Sequence, residues 1–229
     1  MRPNVSAPLI PRRKLFDNPT FFNAKLSPDG RLLSWLAPVD GVLNVWVSPV
    51  DSIAAGHPIT RTRGRPITWH GWSPDGRYIM FLNDENGDEN LHLFVVDPCN
   101  SELRDLTPFA NIRAMPTYWS HVTPDKIAIS INDRDVRWPD VFCLDLTSGQ
   151  RSLIWENRQE FDFVGLDWQL KPRYAQGNAP DGGTRLWRLD DEKVTHWQDV
   201  PYDANGTTRV WTFDASGKHL HMRLSIEHD

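Results

Sequence analysis

Ser27-Pro28-Asp29-Gly30-Arg31-Leu32-Leu33-Ser34-Trp35-Leu36 returns 46 residues later (73 − 27) as Ser73-Pro74-Asp75-Gly76-Arg77-Tyr78-Ile79-Met80-Phe81-Leu82. In both copies a polar turn and a second apolar run follow, and an aspartate closes the unit at Asp51 and Asp97. Proline sets φ at the second position of a tight turn, aspartate tolerates the third, and glycine takes the positive φ that sends the chain into the next strand. The four residues are hairpin chemistry, so their recurrence carries the information.

A third copy opens at Thr123-Pro124-Asp125-Lys126, runs through Ile127 to Ile131 and closes at Val141 to Asp145. Its glycine is replaced by lysine, which must accept a strained turn unless the loop relaxes. A fourth is expected between Phe161 and Val200, with a turn at Pro180 to Gly183. A fifth starts at Asp214-Ala215-Ser216-Gly217, where Phe213 and Gly217 stand for Trp72 and Gly76 at an offset of 141 (213 − 72), three periods of 47. The serine keeps its place in neither the third copy nor the fifth, the aspartate loses its place in the fifth, and only the turn persists.

A fourth strand is readable in each whole unit, at Pro58 to Arg61, Leu103 to Thr107, Arg151 to Trp155 and Val194 to Trp197. Four-stranded antiparallel units with a period in the forties predict an all-β fold, a β-propeller. The near-continuous apolar second strands agree, because a blade is covered on both faces. An open two-sheet sandwich is the structural rival, but it has no need of a constant offset. The expected division is an N-terminal extension over 1–20 and a partial propeller over 21–229, with blades starting near 21, 67, 115, 161 and 208. About four and a half blades are expected, leaving an incomplete ring that predicts a fragment of a longer protein.

Composition narrows the function classes. With 39% hydrophobic and 24% charged residues the chain is globular, and its net charge of −5 argues against a nucleic-acid partner held through phosphates. Arg61, Arg63 and Arg65 form a basic stretch that reads as a charged strand edge. The first twenty residues lack the apolar core of a signal peptide, no run approaches membrane-spanning length, and two cysteines suit a reducing compartment. A cytoplasmic location without membrane contact is expected.

Pro8 to Pro19, Lys25 to Gly30, Gly41 to Val47 and the acidic stretch Asn83 to Asn90 before Leu93-Phe94-Val95-Val96-Asp97 together resemble the prolyl oligopeptidase family of serine peptidases, in its dipeptidyl aminopeptidase and acylaminoacyl peptidase branch. The resemblance covers essentially the whole chain. It implies an N-terminal propeller that restricts access of short peptides to a C-terminal α/β-hydrolase domain, its partner. The nucleophilic serine of that domain lies in a Gly-x-Ser-x-Gly elbow. No serine here sits in such an elbow; the nearest approach is Thr147-Ser148-Gly149. No catalytic residue, metal ligand or cofactor is therefore assigned, and the chain alone is expected to be inactive. A non-enzymatic propeller that binds a protein or peptide is the alternative.

Asp84, Glu85, Asp88 and Glu89 are the candidate site: a substrate-facing or domain-facing loop whose negative charge could attract a peptide's amino terminus. A calcium loop is excluded, because counting from Asp84 the glycine falls at the fourth position and Val95 at the twelfth. His219 and His221 fall on one strand face but lack a third ligand. Tryptophans at Trp35, Trp46, Trp72, Trp119, Trp168 and Trp187 are expected to pack between blades. The hairpins between second and third strands are expected to share a rim with the blade connections, and to be long at Pro38 to Leu43, Asn83 to Asn90, Asn132 to Pro139 and Gly177 to Gly183.

Overall fold

The computed structural model describes residues 9–12, 16, 20–85, 87–190 and 193–225. Four sheets of four antiparallel strands follow one another, each in simple meander order, and a two-stranded sheet comes last. The first blade is β1 (Phe22–Leu26), β2 (Leu32–Val39), β3 (Val42–Pro49) and β4 (His57–Pro58). The second is β5 (His70–Trp72), β6 (Ile79–Asn83), β7 (His92–Val96) and β8 (Leu103–Asp105). The third is β9 (Ala114–Trp119), β10 (Lys126–Ile131), β11 (Asp140–Asp145) and β12 (Arg151–Trp155). The fourth is β13 (Phe163–Leu166), β14 (Pro172–Asn178), β15 (Thr184–Asp190) and β16 (Lys193–Val200), and the half blade is β17 (Arg209–Phe213) with β18 (Leu220–Arg223). The fold is the expected propeller of about four and a half blades.

Second strands bury consecutive residues, Ser34 to Ala37, Ile79 to Leu82 and Ile127 to Ile129, because neighbouring blades cover both faces. Each seam between blades is a separate apolar cluster. Leu36, Val45, Ile59 and Phe81 join blades one and two, Met80, Leu93, Ile127 and Leu144 join two and three, and Val141, Val164, Leu166 and Ala175 join three and four. The last seam is thin: its buried apolar cluster is Leu186, Val200 and Ala204, and Phe213 of β17 is buried beside it. β18 accordingly alternates half-buried and exposed residues where the earlier second strands are covered. The tryptophan expectation holds for Trp72, which is buried in the seam between blades one and two, whereas Trp35, 3% exposed, stacks on Trp46 within blade one. Trp119 departs from it, being 43% exposed although its ring lies 6.3 Å from that of Trp69.

The turn motif closes in the same way in blades one and two. Ser27 Oγ donates to Asp29 Oδ1 at 2.6 Å and accepts the Leu32 amide, and Ser73 Oγ donates to Asp75 Oδ1 at 2.5 Å and accepts the Tyr78 amide. In the half blade the two residue types change places. Ser216 Oγ donates to Asp214 Oδ1 at 2.8 Å, and Asp214 accepts the Lys218 and His219 amides. The serine and aspartate that looked lost from the fifth copy are thus exchanged, and the hydroxyl–carboxylate bond survives. In blade four Asp167 takes the first position and accepts the amides of Gln169 and Lys171, with Leu170 in the glycine's left-handed conformation at φ 61°.

Blade three resolves the missing glycine by relaxing its loop. Trp119 pairs with Ile127 eight residues on, where Trp72 pairs with Ile79 seven on. Lys126 lies in β10 opposite Asp145 and is not among the residues of positive φ. The counterpart of Ser73 is therefore Ser120, which follows Trp119, is buried and accepts the Val122 amide.

Candidate functional site

The turns between second and third strands share one rim with the connections between blades, since successive antiparallel strands place them at the same end. The first of these turns is short. Pro38 pairs with Leu43 and Val39 with Val42, so Asp40-Gly41 alone make the bend, at φ 52° and 85°. An Asp-Gly pair suits the type I′ geometry that two-residue hairpins require, and this corrects the expectation of a long loop there. Blade four has a five-residue loop between the Asn178–Thr184 pair, and the long loops belong to blades two and three.

In blade two, Asp84 is built into the rim. Its side chain is 5% exposed, Oδ1 accepts from Arg65 Nε at 3.0 Å and Oδ2 accepts the Glu89 amide at 3.0 Å. Desolvation pushes its pKa up, but the Glu89 amide and the Arg65 guanidinium outweigh that and hold it below the usual carboxylate range. Asp84 thus ties its hairpin to the connection from blade one. Glu85, Asp88 and Glu89 stand exposed beyond it, and Asp88 accepts the backbone and side-chain N–H groups of Asn90. Glu89 takes φ 61°, which turns the chain back toward β7. The four acidic residues therefore divide into one anchor and three surface charges.

The same rim carries polar clasps absent from the sequence reading. Asn44 Oδ1 accepts Thr60 Oγ1 at 2.9 Å and the Thr62 amide at 2.8 Å, and Thr60 Oγ1 accepts the Val45 amide. Thr107 Oγ1 repeats the last bond on Leu93 in blade two. In blade three Asp140 takes a forked Arg134 guanidinium and the Asn157 amide at 2.7 Å, while Asn157 exchanges hydrogen bonds with the Phe161 backbone. Each clasp fixes the path by which one blade enters the next. A threonine recurring 47 residues apart (107 − 60) after the fourth strand is the one signal that could have revealed them.

One serine–histidine contact exists inside the seam of blades one and two. Ser34 Oγ lies 3.1 Å from His70 Nε2, both residues are fully buried, and His70 Nδ1 has no partner. Lys25 Nζ donates to the His70 carbonyl at 2.5 Å. Burial first, and the Lys25 charge second, lower the His70 pKa to about 4, so the ring is neutral at pH 7. Among the described residues no carboxylate bonds to the imidazole, and the Ser34 hydroxyl is fully buried, so the pair reads as a structural strut rather than a nucleophile.

His219 sits beside the last turn with Nδ1 2.9 Å from Asp214 Oδ2, and His221 is on β18. Among the described residues no group of three or more His, Cys, Asp or Glu side chains is placed to hold a metal ion. No helix of the described residues is long and apolar enough to cross a membrane.

No family model matches the chain. Over 215 residues, 93% of its length, it is 36% identical to dipeptidyl aminopeptidase BIII of Pseudoxanthomonas mexicana, of which it covers 31%. The chain is a relative of the dipeptidyl aminopeptidases, in the prolyl oligopeptidase family. It is also 23% identical over 228 residues to dipeptidyl peptidase family member 6 of Caenorhabditis elegans, covering 93% of this chain and 31% of that one. This relative of the dipeptidyl aminopeptidases therefore spans about a third of the length of the curated proteins it matches. The β-propeller domain of the Trilobed protease from Pyrococcus furiosus superposes with a TM-score of 0.52 at 14% identity, covering 78% of this chain and 56% of that one. That likeness bears on the fold alone, and it is the fold derived above.

Proposed function

We propose that this chain serves as the N-terminal, substrate-gating propeller of a serine peptidase that cleaves short peptides, with the chemistry carried by an α/β-hydrolase partner domain. The observation that carries the reading is the 36% identity to a dipeptidyl aminopeptidase along 93% of the chain. The rim of connections supports it. Its clasps tie the connections to the strand ends, and exposed Glu85, Asp88 and Glu89 add negative charge beside Arg65-anchored Asp84. A carboxylate-rich rim attracts a free ammonium group and is indifferent to an acylated one, which favours dipeptidyl over acylaminoacyl substrates.

The test begins with the genomic reading frame beyond Asp229 and its product. Further blades followed by a Gly-x-Ser-x-Gly elbow, with turnover of a free-amine dipeptidyl p-nitroanilide, would support the reading. Glu85→Gln with Glu89→Gln should raise KM for that substrate and leave the N-acetylated one unchanged. A frame that encodes no hydrolase segment, with no hydrolase domain encoded alongside it, would leave the non-enzymatic propeller in its place.

A further inference from the structure

The seam between blades three and four is built on a buried apolar cluster that includes Ala128, Val141, Val164 and Ala175. Against that cluster lies a small cavity of about 50 Å³. Val141 and Val164 belong to both the cluster and the cavity wall, while Thr117, Ser130 and Asn157 bring polar side chains to it. Blade three supplies its wall from β9, β10 and the start of β11, and blade four from the start of β13.

Thr117 reaches this wall through a β-bulge. Pro116 pairs with Ile129 and Tyr118 with Ala128, so Thr117 is the extra residue of β9 and has no opposite number on β10. A bulge re-aims the side chain it carries. The Thr117 hydroxyl is buried and has no hydrogen-bond partner among the described residues. Ser130 Oγ, in the same wall, donates to the Met115 carbonyl at a long 3.4 Å and keeps its lone pairs. Asn157 is already committed, with Nδ2 donating to the Pro139 and Phe161 carbonyls and Oδ1 accepting the Phe161 amide. A buried hydroxyl left without a partner bears the full cost of its desolvation.

Size and chemistry together select the occupant. A volume of about 50 Å³ exceeds the roughly 10–15 Å³ that one water requires, and it is far below the roughly 300 Å³ at which small-molecule sites begin. Wholly apolar cavities stay dry, whereas this one presents two hydroxyls that can each donate and accept. We propose that the cavity is a binding site for an ordered water molecule, held by Thr117 Oγ1 and Ser130 Oγ, that forms part of the seam between blades three and four. The water gives the Thr117 hydroxyl the partner that the bulge denies it. The inference concerns how neighbouring blades are joined, and it stands whether or not the propeller serves a peptidase.

Thr117→Val tests the site by the sign of its effect. Valine keeps the branched shape and lacks the hydroxyl, so it relieves an unpaired group but breaks a water-bridged one. Urea unfolding of the 229-residue chain, followed by tryptophan fluorescence, should show a lower midpoint for Thr117→Val and an unfolding constant raised at least threefold. A midpoint that is unchanged or higher overturns the proposal. In a Ser130→Ala background the same substitution should raise the constant by less than half that factor, because the water has already lost its second bond. An equal factor in both backgrounds overturns the shared site. Crystallography at atomic resolution supplies the direct readout: a water within hydrogen-bonding distance of both hydroxyls in the parent and in Thr117→Ser, and none in Thr117→Val. A parent crystal without that water refutes the proposal whatever the variants do.

Discussion

Acidification should weaken the seam between the first two blades, and His70 sets the size of the effect. In the folded chain its pKa is lowered to about 4 from an ordinary value of 6.5. The Ser34 hydroxyl donates to the Lys25 carbonyl at 3.3 Å, so it accepts from His70 Nε2–H and the bare Nδ1 lies unpaired. Protonation would bury an N–H without an acceptor and place a second cation beside Lys25, whose own pKa burial lowers. Because the folded state resists the proton, this contribution is fully present above the unfolded value. It is lost as pH falls from about 6.5 toward 4, and is level below that. A gap of about 2.5 units corresponds to roughly 3 kcal/mol in all, at about 1.4 kcal/mol per pH unit. Urea unfolding followed by tryptophan fluorescence at pH 7.0, 5.5 and 4.5 should show His70→Gln gaining roughly 2–3 kcal/mol relative to the parent between the first and last conditions. Other histidines cancel in the comparison. The aspartates with lowered pKa values, Asp84, Asp145 and Asp214 among them, lose their contributions mainly below pH 4. A difference between parent and variant that stays constant within about 0.5 kcal/mol from pH 7.0 to 4.5 refutes the reasoning.

Three further outcomes follow from geometry. Gly71 and Gly165 occupy equivalent places two periods apart (165 − 71 = 94), but a Cβ at Gly165 would lie 1.9 Å from the Tyr174 ring, whereas one at Gly71 would lie 3.5 Å from Trp69. Gly165→Ala should therefore cost about 1–3 kcal/mol in urea unfolding and Gly71→Ala less than about 1. Asn157→Ala removes both bonds to the Phe161 backbone inside a buried clasp and should cost about 2–3 kcal/mol by the same assay, with the loss of protection in hydrogen exchange centred on the third connection. On the acidic hairpin, Asp84→Ala should cost about 1–2 kcal/mol through the lost Arg65 and Glu89 bonds, while Glu85→Gln leaves the unfolding midpoint unchanged.

Local chemistry explains what could be read before folding. The Ser-Pro-Asp-Gly turns and the apolar second strands encode contacts made within ten residues, so the blade and its repetition were legible. The same locality misled at Pro38 to Leu43, where a strand ladder running to the Asp40-Gly41 tip looked like a loop. It also hid the exchange of serine and aspartate in the half blade, because either order closes the same hydroxyl–carboxylate bond. The acidic hairpin was visible as a charge cluster, but its division into anchor and surface charges was not. Arg65 reaches Asp84 from the preceding connection, 19 residues away.

The sequence by itself determined the unit: a four-stranded meander, its turn chemistry and its period, each written in residues that touch their near neighbours. Only the tertiary structure decided how units meet. Ser34 finds His70 across 36 residues, and Thr117 and Val164 come to share a cavity from successive blades. The physical reason is that a blade is specified by hydrogen bonds between adjacent strands, whereas a seam is specified by the angle at which one whole sheet packs on the next. No single stretch of chain encodes that angle.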